Sequence, residues 1–212
     1  GMAGLFDAQH LVERDEFDKY ISGLRPADAL PEVAGLALAR RVEVTRVEAI
    51  EALLSASYGR DIRIYPTPDP ARGPLAYPIG YFWPLDARNE RIIGYDGFSE
   101  PLRRQTMEAA IRSRKMAMSP PLPLMVRDQE KPVSGVLVYR MARPVDDLAQ
   151  QIGPDGLIVI GVNVVRMFDI LRLSAIPGYG LEVADASAVP AQGLYSFALS
   201  GATGGSVTRR LQ

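Results

Sequence analysis

No cysteine occurs anywhere in the 212 residues, and histidine occurs once, at His10. Disulfides, thiolate zinc sites, cysteine nucleophiles and any mechanism that needs two histidines are therefore excluded. A surplus of one charge is also missing. With 24 basic and 25 acidic residues the net charge is −1, too weak a field to hold a phosphate backbone, and no nucleic-acid partner is expected. No run approaches 18 uninterrupted apolar residues, so no spanning helix is expected, and the start lacks the basic and apolar regions of a signal peptide. A glycine ahead of Met2 reads as the remnant of a removed expression tag, which marks the chain as a fragment of a longer protein. Only Lys19, Lys115 and Lys131 among the basic residues are lysine, a bias that GC-rich codon usage accounts for.

What is present is enough for a packed core, since 47% of the residues are hydrophobic. From Leu5 to Leu24 the apolar residues recur at three- and four-residue steps among charged ones, which predicts an amphipathic helix stopped at Arg25-Pro26. Pro31 is expected to open a second helical region that carries Val33, Leu36, Leu38, Val42, Val47, Ile50, Leu53 and Leu54 on one face and ends at Gly59. Strands are then expected at Ile62–Tyr65, Ile79–Leu85 and Ile92–Tyr95, with a proline-rich loop over Pro66–Pro74. A helix follows, with Ser99 as its cap and Pro101 in its first turn. Ala117–Met125 and Val133–Met141 read as two strands around the Asp128–Pro132 turn. A further block from Pro144 holds the apolar run Leu157–Val165, a short helix Met167–Leu173, and strands Leu181–Ala184 and Leu194–Leu199. The order of elements predicts an α+β fold with antiparallel sheets.

Chemistry-bearing candidates are few. His10 lies among charged residues with no companion at metal-ligand spacing, and the Gly201–Gly205 cluster lacks the lysine of a phosphate loop. The acidic groups Asp128-Gln129-Glu130 and Asp146-Asp147 stand in turn-like contexts that suit solvated carboxylates. Neither a catalytic residue nor a metal or cofactor site is assigned. Tyr81, Phe82 and Trp83 are more suggestive, because strand alternation puts Tyr81 and Trp83 on one face and Phe82 on the other. One face belongs to the core, and the other suits a pocket wall with Asp86 as a nearby carboxylate.

The segment from Tyr77 to Met141 resembles the CHASE domain, the extracytoplasmic sensor of bacterial and plant receptors joined to histidine kinases and nucleotide cyclases. The resemblance rests on Tyr81, Pro84-Leu85, Asn89-Glu90, Gly94-Tyr95-Asp96, Ser99-Glu100-Pro101-Leu102-Arg103-Arg104 and Ser119-Pro120-Pro121, with Gly135–Arg140 as the closing strand. It departs from the family pattern at Arg46–Glu51 and at Ser113-Arg114-Lys115. The resemblance implies a long N-terminal helix over residues 1–43, a membrane-distal PAS-like ligand-binding module over 44–143, and a smaller membrane-proximal PAS-like module over 144–212. It also implies a small-molecule ligand of unknown identity, a membrane-anchored parent protein in the periplasm, and a homodimer through the N-terminal helix. Alignment to plant members places ligand contacts at Asp86, Ala109 and Ser119. Tyr81 and Trp83 would line the apolar wall, and Val136 or Val138 would close it from the next strand. No bond-making chemistry is expected, so the chain is read as a non-enzyme. Two other readings stay open: a dimerising signal-relay scaffold without a ligand, and a hydrolase using carboxylates alone.

Overall fold

The computed structural model describes residues 14–128, 131–141, 156–170, 180–185 and 192–197. His10, the Leu5–Glu13 part of the expected first helix, Asp146-Asp147 and the Gly201–Gly205 cluster lie outside the described residues. The fold is α+β with antiparallel sheets. Its helices are short: α1 spans Arg14–Leu24, α2 Pro26–Ala29, α3 Val47–Tyr58, α4 Pro101–Ser113 and α5 Val164–Ile170. The expected long N-terminal helix is thus an 11-residue helix over the described part, broken where Arg25 turns left-handed at φ 46° ahead of Pro26.

Among the described residues the strands are β1 (Val33–Ala39), β2 (Val42–Glu43), β3 (Leu75–Ala76), β4 (Ile79–Trp83), β5 (Ala117–Met118), β6 (Leu122–Asp128), β7 (Lys131–Met141), β8 (Leu157–Asn163), β9 (Leu181–Asp185) and β10 (Gln192–Phe197). The main sheet runs β4-β1-β8-β7-β5, with β6 also paired to β7. Register is set by pairs such as Leu38↔Tyr81, Ala37↔Val159 and Tyr139↔Val159, all antiparallel. β8 therefore lies between β1 and β7, and the sheet crosses both boundaries expected at 43/44 and 143/144. β9 and β10 form a separate hairpin, against which α5 stacks Phe168 on Tyr195 with ring centroids 5.2 Å apart.

Ile62–Tyr65 forms no strand, only the Tyr65↔Tyr95 bridge, and Ala117–Met125 is divided between β5 and β6; two further sequence expectations fail for identifiable reasons. Val33–Ala39 is a strand, because its large residues Leu36 and Leu38 and its small residues Gly35, Ala37 and Ala39 alternate and need two different faces. Helical propensity yields to pairing with β4 on one side and β8 on the other. Ile92–Tyr95 does not form a strand. Glu90–Ile92 is a tight helical turn, and Gly94 follows at φ 87°, where an added Cβ would strike the Arg63 carbonyl.

Each sheet face has its own cover. Leu36, Leu38, Tyr81 and Ile158 meet Phe17 and Ile21 of α1, both fully buried, so the α1 stripe is satisfied by its own chain. Burying two such side chains is worth about 1.5–3 kcal/mol each. The opposite face, with Ala37, Ala39, Leu137, Tyr139 and Val159, joins the larger core, which includes Ile50 and Leu54 of α3 and Met107 and Ala110 of α4. α3 is tied down by Glu51, which accepts from the Ile64 amide at 2.9 Å and pairs with Arg63.

Asp96 joins β3, β4 and the approach to α4. Its Oδ1 accepts from the amides of Tyr77 (2.8 Å) and Phe98 (3.0 Å) while the residue is 4% exposed. Burial raises this carboxyl above its ordinary range, against the lowering pull of those two amides and of Arg104. The unfolded chain therefore releases this proton first, near pH 3.9, and the contribution of Asp96 to stability falls as pH rises from there through the folded value. Asp96→Asn keeps an oxygen acceptor and removes the titration. Its urea midpoint relative to wild type should rise between about pH 4 and pH 7; a constant difference across that range would disprove the assignment.

Candidate functional site

A cavity lies on the sheet face turned away from α1. Its floor is small-residue strand surface, Gly35, Ala37 and Ala39 of β1 with Gly161 of β8, and Phe82 and Leu137 stand beside it. Met107 and Arg103 of α4, Leu124 to Val126 of β6, and Tyr95 close it. The cavity has a volume of about 40 Å³, room for a few waters or a comparably small molecule. The local sequence explains this hollow. Alternation places glycine or alanine at every second position of β1, and a Cβ at Gly35 would come within 2.5 Å of the Phe82 ring.

Polar side chains in this lining are confined to Arg103, Tyr77, Tyr95 and Tyr139. Arg103 stands in the first turn of α4, which Glu100 caps by accepting from the amides of Leu102 (3.1 Å) and Arg103 (2.9 Å). The expected cap, Ser99, instead ends the preceding helical turn and donates to the Asp96 carbonyl at 2.6 Å. The Arg103 guanidinium is buried, donates to the Pro123 carbonyl at 2.9 Å and lies 5.5 Å from the Tyr95 ring centroid. It lines the cavity together with the Tyr139 phenol. Burial drives the Tyr139 phenol far above its ordinary range, with Arg103 opposing the shift, so the hydroxyl keeps its proton.

The seven expected contact residues do not converge on this cavity. Tyr81 and Trp83 occupy the opposite face, where Tyr81 meets Phe17 at 5.4 Å between ring centroids and accepts from Arg40 at 2.8 Å. Phe82, between them, is the aromatic that reaches the cavity. Val136 and Val138 alternate with the cavity-lining Leu137 and Tyr139, and Val138 pairs with Ile160 on the α1 face. Tyr81, Trp83, Val136 and Val138 thus share one side of the sheet, and it is the side that packs on α1. Asp86 sits in the turn after β4, where it accepts from the amides of Arg88 and Asn89 and pairs with the Arg88 side chain at 2.6 Å. Arg88 holds its carboxyl below the ordinary range. The Ala109 carbonyl accepts from the Ser113 hydroxyl at 2.8 Å. Ser119 is buried and connects strands: its hydroxyl donates to the Pro120 carbonyl at 2.7 Å and accepts from the Leu137 amide at 2.9 Å.

Sequence reasoning missed Arg103, Tyr95, Tyr139 and Met107 as cavity residues. The available signal was the small-residue alternation Gly35, Ala37, Ala39, which marks a sheet face with room above it. Among the described residues no cluster of three or more histidine, aspartate or glutamate side chains is placed to hold a metal ion. No described helix is long and apolar enough to cross a membrane.

A family model described as the CHASE domain matches residues 10–195, most of the chain. No curated protein matches it.

The Ser119 geometry gives a direct test. Ser119→Ala removes the acceptor for a buried Leu137 amide, which should cost about 1–3 kcal/mol and lower Tm by roughly 2–12 °C, measured by thermal unfolding. An unchanged Tm would show that this hydrogen bond carries no stability.

Proposed function

Because the chain belongs to the CHASE domain family, whose members are extracytoplasmic sensor domains of receptor kinases and cyclases, we propose that it is the small-molecule-sensing part of a membrane receptor. The observation that carries this reading is the cavity itself, a hollow over a glycine- and alanine-paved sheet face, walled by apolar side chains and a few convergent polar groups. On this reading the six-stranded sheet, with β1 and β8 included, is the membrane-distal PAS-like module. The α5 and β9–β10 unit belongs to a smaller membrane-proximal one. The parent protein is anchored in the inner membrane, faces the periplasm with this domain, and controls a cytoplasmic histidine kinase or diguanylate cyclase.

The two-faced sheet supports a route for the signal. β1 and β8 supply both the cavity floor and the seat of α1, since Ala37 and Val159 face one way and Leu36, Leu38 and Ile158 the other. A ligand that binds one strand arrangement more tightly than another shifts the population of α1 positions by that differential affinity and no more. Binding alone suffices for this, and the two carboxylates nearest the sheet turns, Asp86 and Asp96, are engaged with backbone amides.

The homodimer belongs to the same proposal, on a revised face. Phe17 and Ile21 are covered by the sheet, and the outward face of α1 carries Lys19, Ser22 and Gly23. Single cysteines at Lys19 and Ser22 of the membrane-anchored parent should crosslink well above a control at Arg72. Equal crosslinking at all three would remove the helix from the interface.

The sensor reading is tested by mass spectrometry of the purified chain for a carried small molecule, followed by thermal shift against a metabolite collection. At least one compound should raise Tm with saturation and lose its effect when Ala37→Leu fills the cavity floor. Absence of any such compound would refute a ligand-binding role.

A further inference from the structure

We propose that the cavity takes a short-chain monocarboxylate of about two to four carbons, its carboxylate held by Arg103 and Tyr139 and its tail lying over Gly35, Ala37 and Gly161. This rests on the sensor reading and names its ligand class. Three observations support it independently of one another.

The first is an incompletely matched buried cation. Arg103 is 9% exposed, and its ion pair with Glu100 is a long one, with Oε2 3.8 Å from Nε. Both Glu100 oxygens are already engaged by the amides at the start of α4. The hydrogen bond to the Pro123 carbonyl engages one of the five N–H groups of the guanidinium. A guanidinium withdrawn from water is costly unless an anion compensates it, and a carboxylate matches its fork bidentately.

The second is the proton on Tyr139. Burial keeps that proton on the phenol, and Tyr139 lines the same cavity as Arg103. Arg103 and Tyr139 thus offer adjacent donors, as two carboxylate oxygens require. A cationic ligand would meet Arg103 repulsively, and a neutral amide would turn an N–H group toward it.

The third is size and polarity. The remaining lining is aliphatic, aromatic or glycine apart from the Tyr77 and Tyr95 hydroxyls, and the room is that of a few waters. One cation and this volume suit one carboxylate with a short apolar tail. A dicarboxylate would leave its second charge without a partner.

The test uses the full chain, titrated by calorimetry and thermal shift with sodium propionate at constant ionic strength, with propionamide as the neutral isostere and hexanoate as the oversized acid. Propionate should bind saturably. Propionamide should bind about tenfold to 150-fold more weakly, the range expected for losing a charge-assisted pair, and hexanoate should fail to compete. Tyr139→Phe should weaken propionate about tenfold without altering far-UV circular dichroism, and Arg103→Met should abolish binding. Should Arg103→Met not fold, the propionate–propionamide comparison on the wild-type chain and Tyr139→Phe still decide the matter. Equal affinity for acid and amide, or propionate binding untouched in Tyr139→Phe, would overturn the proposal. If a carried molecule of another class occupies the cavity and propionate does not displace it, the carboxylate assignment falls and the sensor reading stands. If neither propionate nor any other compound binds, both fall.

Discussion

The insertion of β8 between β1 and β7 is the constraint on which the other features depend. It brings Leu157–Asn163 back across more than a hundred residues to pair with one edge of Val33–Ala39, while β4 covers the other edge, so that β1 is enclosed and buried from Gly35 to Ala39. A strand so enclosed must satisfy two environments at alternate positions, and its composition does so. Large aliphatic residues, Leu36 and Leu38, meet α1, whereas Gly35, Ala37 and Ala39 leave space beneath α4. The hollow and the helix seat are two sides of the same strand pair.

That arrangement gives a sensor domain a physical basis for coupling. Cores packed at crystalline density do not deform continuously, so a molecule entering a small cavity biases discrete side-chain and strand arrangements. The cavity is bounded on its far side by the very backbone that carries Leu36, Leu38 and Ile158 to α1. α4 is fixed at its start by Glu100 and by the Asp96 network of amides from Tyr77 and Phe98, so the position of Arg103 follows from capping chemistry in the SEPLRR segment. Motif residues shared with the family thus act mainly on architecture, and through it on the one buried cation of the cavity lining.

Much of the architecture was legible in local chemistry. The Pro101 helix, the β4 aromatic strand, the β7 strand and the strands β9 and β10 follow from capping residues and alternation. Failures came where one pattern fits two periods or where a neighbour decides. Val33–Ala39 suits a helix by its leucines and a strand by its alternation, and only β4 and β8 resolve the choice. The apolar stripe of α1 was visible, but its partner was not, because Phe17 and Ile21 meet residues far along the chain. The Asp86 carboxylate was legible as a polar group after β4, while its engagement by Arg88 and Asn89 needed the turn geometry.

By itself the sequence determined the absence of thiol and paired-histidine chemistry, the α+β class, and the family, through the clustered motifs between Tyr77 and Met141. Those properties depend on composition and on residues near one another in the chain. Which side of β4 faces the cavity was decided only by tertiary structure. Alternation says that Tyr81 and Phe82 point opposite ways, but it cannot say which face α1 will cover, since that depends on β8 closing the sheet and on Phe17 reaching Tyr81. The same closure sets Arg103 of α4 and Tyr139 of β7 around one cavity, a placement that no spacing along the chain encodes.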